Sequence, residues 1–226
     1  KFNGLSIAPN SAARWNNSVS YTGSFSGLTA RAIYSANGVE TNKYDADLER
    51  TAKPGDDDAF GLSLEYANGP LAASVIYHQL NNDADDQKEW LIGGSYDFSV
   101  VKLLASYQTA DNFNFINDFD VDLWQVGVLV PVGAAGNIHF GYGEVEYDVD
   151  NESAEAKSIG VAYTHALSKR TTAYVGYSYT DNDAGLTLGA APIGTATINS
   201  DDIKGTVPVE DGEKSKMLAI GVRHTF

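Results

Sequence analysis

The chain of 226 residues contains no cysteine, which removes disulfides and thiolate metal sites from its chemistry. Long hydrophobic runs are also absent. The longest, such as 126–132, stop far short of the roughly 20 apolar residues a membrane helix needs. If this chain crosses a membrane, it does so with strands. Bases are scarce too, with 15 Lys and Arg against 30 Asp and Glu and a net charge of −15. Phosphate backbones are held by clustered Lys and Arg, so nucleic acid is excluded as a partner.

What the sequence does have is period-two alternation, sustained to the last residue. Leu71, Ala73, Val75 and Tyr77 alternate with Ala72, Ser74, Ile76 and His78. Trp124, Val126, Val128 and Val130 alternate with Gln125, Gly127 and Leu129, and Leu218, Ile220 and Val222 with Ala219, Gly221 and Arg223. No stretch carries a helical period. The pattern predicts eleven strands, at 13–22, 28–36, 58–67, 71–80, 87–97, 100–108, 121–131, 136–147, 156–167, 171–180 and 216–226.

The connections alternate in character. Short ones fall at 23–27, 68–70, 98–99, 132–135 and 168–170; long polar ones fall at 37–57, 81–86, 109–120, 148–155 and 181–215. An up-and-down meander gives this rhythm when its two ends face different surroundings, turns at one end and loops at the other. Greek-key crossings in a sandwich would break it. Aromatic residues such as Tyr34, Phe60, Tyr77, Trp90, Tyr96 and Phe98 sit near strand ends on the aliphatic face, as two girdles bounding an apolar band would. The opposite face carries Gly, Ser, Thr and Gln. The expectation is an all-β fold, an antiparallel up-and-down transmembrane β-barrel with its oily face outward.

Charge is sorted by position. Most of the acids lie in the five long connections, whereas two thirds of the bases lie outside them. Parity places Arg14, Arg31, Lys102 and Arg223 on the face opposite the apolar band, with Glu65 and Glu89 as partners. A charge facing lipid at mid-bilayer costs about 2–4 kcal/mol, so these six side chains are expected to line a water-filled interior.

Two stretches resemble the Gram-negative trimeric porins, especially the neisserial and β-proteobacterial type. The C-terminal Ile220-Gly221-Val222-Arg223-His224-Thr225-Phe226 is similar to their closing strand, and Arg14-Trp15-Asn16-Asn17-Ser18-Val19-Ser20-Tyr21 is similar to the strand after their inward-folded third loop. His224 replaces the aromatic residue common elsewhere at its position but fits this subgroup. The resemblance implies sixteen strands, three barrels per assembly, and diffusion of ions and small hydrophilic solutes through a constriction in the bacterial outer membrane. It makes the eleven strands the sixth to the sixteenth, with residues 1–226 one barrel domain lacking its N-terminal strands. Residues 1–12 would be the tail of the constriction loop and Arg14 a constriction arginine. Outer-membrane lipid and lipopolysaccharide would surround it, and no cofactor is implied.

The alternative is an outer-membrane barrel enzyme, a hydrolase with a rim active site. It needs a Ser/His or Asp/His constellation. Parity sets His165 and His224 near the turn ends on the apolar face, and His78 and His139 toward the interior, with His78 approaching Asp83, Asp85 and Asp86. No nucleophile motif accompanies them. The acid clusters Asp56-Asp57-Asp58, Asp118/Asp120/Asp122 and Asp148/Asp150/Glu152 match calcium loops only in composition, lacking the spaced Gly and distal Glu of an EF-hand. They read as solvated loop tips, with cation bridges to lipid phosphates as the sharper alternative. A receptor or adhesin role for the acidic loops is compatible with the same barrel.

Overall fold

The computed structural model describes residues 15–36, 58–82, 85–149, 152–183 and 212–226. Eleven strands form one antiparallel sheet in strict chain order. They are β1 (Ser18–Phe25), β2 (Leu28–Ser35), β3 (Ala59–Asn68), β4 (Leu71–Leu80), β5 (Gln87–Asp97), β6 (Lys102–Asp111), β7 (Phe119–Val132), β8 (Gly136–Val149), β9 (Glu152–Ser168), β10 (Thr171–Asn182) and β11 (Ser215–His224). Among the described residues β1 and β11 do not pair with each other. The meander puts the turns after β1, β3, β5, β7 and β9 at one end and the connections after β2, β4, β6, β8 and β10, all but the β8–β9 one long, at the other. Thr225 is tied to the turn end, where its N–H donates to the Arg170 carbonyl (2.9 Å) and its carbonyl accepts from the Arg170 side chain (2.7 Å).

The alternation sorts the sheet into two unlike faces. One carries the apolar band, with Val126 at 42% and Val161 at 45% exposure. The other carries small polar side chains that are nonetheless buried, Ser178 at 3% and Thr180 at 1%. A flat sheet would expose both faces alike. Here the polar face is the concave one, shielded by its own curvature, and the apolar face is convex. Val75, Val126, Val128, Val161, Ile220 and Val222 all share the convex face.

The elements depart from the sequence expectation at four places. Among the described residues β1 begins at Ser18, because Asn17 takes a left-handed φ of 47° that ends extended pairing; positions 13 and 14 of the expected strand lie outside the described residues. The first turn is not 23–27 but Ser26–Gly27, both with positive φ (50° and 83°), the mirror-image geometry that suits twisted hairpins. A side chain at position 27 would also lie 2.7 Å from the Ala67 carbonyl oxygen. The stretch 148–155 is not a loop: β8 runs to Val149 and β9 starts at Glu152. Asp148 and Glu155 fall on the convex side above the girdle, where they reach water without interrupting the ladder. Finally, β6 extends through Asp111 and β7 starts at Phe119, leaving a short connection built around a 3-10 turn at Phe113–Phe115.

Candidate functional site

The concave face is where the sequence placed its candidate residues. Arg31 on β2 donates to Glu65 on β3, and Arg31 itself stands directly across from Ser63. Both side chains remain nearly half-exposed, so the pair is held in a wet setting. Glu89, near the long-connection end of β5, is 4% exposed. Gln87, two residues away on the same face, donates to its Oε1 at 2.6 Å. His78 on β4 lies directly across from Glu89, its Nδ1 3.7 Å from Oε2. The Trp15 ring covers His78 at a centroid distance of 5.1 Å, and His78 in turn lies over Gly61, where a Cβ would meet its Cδ2 at 2.7 Å.

Lys102 and Arg223 share this parity but sit elsewhere. Lys102 opens β6 opposite Asp97, at the turn end, and Arg223 lies near the end of β11 opposite Thr172. The candidates therefore do not form one ring. Arg31, Glu65 and Glu89 gather on β2–β5, while Lys102 and Arg223 mark the turn-end rim. Arg14 lies outside the described residues.

Sequence reasoning missed a dry cluster on the concave face at the long-connection end. Ala110, Phe113, Val121, Leu123, Val145 and Ala156 are all buried there. Phe113 comes from the β6–β7 connection, which folds back over the concave wall. It meets Phe119 edge-on at 5.4 Å and Tyr147 at 6.4 Å. The connection was legible only as a polar loop. The signal available was an apolar parity on β6–β9 that switches faces toward this end, together with three Phe inside a supposed loop.

On the convex side, the girdle at the long-connection end packs ring against ring. Tyr77 contacts Trp90 at 4.5 Å and Phe60 at 5.7 Å, and Trp124 contacts Tyr142 at 5.3 Å. Its phenols point away from the apolar band and donate to polar groups beyond it: Tyr34 to Asp58 (3.0 Å), Tyr142 to Glu144 (3.0 Å), Tyr179 to Asp181 (3.0 Å), and Tyr107 to Asp122. Beyond this girdle Asp122, Glu146 and Glu155 stand directly opposite one another on β7, β8 and β9. Repulsion, first from Asp148 and then with burial and Glu155, holds the Glu146 carboxyl above the ordinary carboxylate range. Asp58 also accepts from Asn81 (2.6 Å), and Asp120 accepts from the Asn112 N–H (3.1 Å). Among the described residues no three His, Asp or Glu side chains converge as metal ligands.

The histidines are dispersed. His165 and His224 lie at the turn end of the convex face, bonded to the Tyr163 and Thr171 hydroxyls at 2.9 Å each, and His139 meets Thr164 at 3.0 Å on the concave face. They occupy both faces and both ends, a poor arrangement for shared proton transfer.

With this geometry in place, the chain can be compared with known proteins. The family model described as Gram-negative porin matches residues 1–185. An outer membrane porin protein of Bordetella pertussis is 28% identical over 260 residues, covering 99% of this chain and 60% of its own length. Outer membrane porin protein 32 of Delftia acidovorans is 29% identical, covering 97% of this chain and 59% of its own. The chain thus spans about 60% of the length of the curated relatives it matches. Among solved structures, an anion-selective porin from Comamonas acidovorans superposes with a TM-score of 0.73 at 26% identity, over 94% of this chain and 60% of that one. The trimer form of Vibrio cholerae OmpT, at 15% identity and a TM-score of 0.63, shares the fold.

Proposed function

The chain belongs to the Gram-negative porin family, and from that premise we propose that it forms the wall of an outer-membrane diffusion channel for ions and small hydrophilic solutes. The observation that carries this reading is the inversion of faces, with the apolar band convex between aromatic girdles and the polar side chains concave. Lipid satisfies the first face and water the second. In the membrane the outer edges of β1 and β11 need partners, because unpaired N–H and C=O groups facing hydrocarbon cost several kcal/mol each. We take the closed wall to be the sixteen-stranded barrel that the resemblance implies, assembled in threes, with lipopolysaccharide around its acidic rim.

The concave side chains Arg31, Glu65 and Glu89 are then pore-lining groups of the wall, with Lys102 and Arg223 at the turn-end mouth. Arg14 belongs with them on sequence grounds alone. Permeation follows pore width and wall charge, with no chemical step. The dispersal of the histidines gives the rim-hydrolase alternative no support. The test is a planar-bilayer recording of the protein isolated from outer membranes. Stepwise ohmic conductance is expected; a silent membrane would overturn the reading.

A further inference from the structure

We propose that Glu89 is a fixed, selectivity-determining carboxylate of the channel wall, and that the β6–β7 connection is the bracket that positions it. The inference rests on the channel reading above and adds a residue role and a device to it.

Parity alone puts an acid on the inner face of β5 but says nothing of how firmly it is held. In the structure Gln87 uses both ends of its amide. Its Nε2 donates to Glu89 Oε1 at 2.6 Å, and its Oε1 accepts the main-chain N–H of Asn114 at 2.9 Å. A side-chain carboxylate on one strand is thereby tied to the backbone of a connection between two others. The link is only as firm as the connection.

The connection is built to keep its shape. Phe113, 7% exposed, is seated in the dry cluster. The Asn112 side chain donates to the Asp86 carbonyl at 3.2 Å and accepts the Asp118 N–H at 3.3 Å. Asn112, Asn114, Phe115 and Asp118 all have positive φ, between 52° and 61°. Left-handed conformations at non-glycine residues persist only where the surroundings over-determine them. Here the Phe113 seat and the Asn112 bonds do so. The turn folds inward onto Asp86 and Gln87 instead of standing above the rim.

A carboxylate shielded in this way acts through its field. Three and two strands away, Arg31 and Glu65 compensate each other, while Glu89 faces the His78 ring on β4. In a narrow path bordered by protein, one fixed charge biases ion preference more than it would in bulk water. Glu89 should favour cations, and loosening the bracket should blunt that bias.

The experiment uses protein isolated from outer membranes, with reversal potentials read across a KCl gradient in planar bilayers. Glu89→Gln is expected to lower the potassium-to-chloride permeability ratio by about twofold. Phe113→Ala is expected to shrink that effect by about half or more when combined with Glu89→Gln, since the carboxylate it removes is no longer held in place. Should Phe113→Ala not fold, Gln87→Met cuts both hydrogen bonds while sparing the Phe113 seat, and the same coupling is expected. A conducting Glu89→Gln channel with an unchanged reversal potential overturns the role of Glu89. Strictly additive effects overturn the bracket. Silence of the unmodified protein overturns the channel reading itself, a distinct failure.

Discussion

Arg31 and Glu65 close a salt bridge across the concave face between β2 and β3, offset by one pleat from direct opposition. Both are nearly half-exposed, so breaking the pair should cost under about 1 kcal/mol of stability. Its effect on permeation is a different matter. Glu65→Gln leaves an uncompensated guanidinium and should move the reversal potential in a KCl gradient toward anions. Arg31→Gln should move it toward cations. The double variant should return close to the unmodified value. Shifts of one sign in both single variants would place the pair outside the conducting path.

The two faces make a labelling prediction, and the absence of native cysteine makes it clean. Gln125 and Val126 are neighbours in sequence on opposite faces of β7. Gln125→Cys should react with a charged, water-soluble maleimide in intact outer membranes, and Val126→Cys should not. Reversed reactivity would mean that the apolar face is the wet one.

Packing at the turn end sets a third expectation. A Cβ at position 136 would lie 2.6 Å from the Tyr163 hydroxyl and 2.7 Å from the Val132 carbonyl oxygen. Gly136→Ala should therefore cost about 1–3 kcal/mol, read as a lowered melting temperature in detergent. Tyr163→Leu in the same background should recover part of the loss, since only one of the two clashes is with a side chain. Gly69 is the contrast: nothing lies within 4 Å of its Cβ position, and its φ is +55°. Gly69→Ala should cost about 1 kcal/mol, from backbone strain alone.

The carboxylate row beyond the girdle predicts a pH effect. Repulsion raises the Glu146 pKa in the folded protein, so the native state binds its proton more tightly than the unfolded chain does. Stability from this group is present at low pH and is lost as pH rises through the raised value. Glu146→Gln should raise the melting temperature at neutral pH, and the gain should vanish as pH falls below the ordinary carboxylate range. A gain that persists in acid would point to packing rather than charge.

The two levels of information divide along physical lines. Period-two alternation over eleven segments determined the strands, their order and the inversion of faces, because side-chain parity in a strand is geometric and a register slip would turn every apolar residue to the wrong side. β4 and β5 were readable to the residue, since Pro70 and the Gln87 start bound them sharply. Aromatic residues near strand ends marked the girdles, and the terminal Ile220–Phe226 pattern carried the family. Strand ends among acids were not readable: Asp148 and Glu152 look like loop composition, yet water beyond the girdle lets a ladder continue up to them.

The concave face was legible in kind but not in arrangement. Parity placed Arg31, Glu65, Glu89, Lys102 and Arg223 on one side of the sheet. Only the tertiary structure paired Arg31 with Glu65, set Lys102 and Arg223 apart at the turn end, and tied the buried Glu89 through Gln87 to the β6–β7 connection. Which acid meets which base depends on register between strands, and register depends on every turn before it. The inward fold of residues 112–118 depends on a seat for Phe113 assembled from four strands. No local pattern encodes that seat, because the residues forming it become neighbours only when the sheet curls.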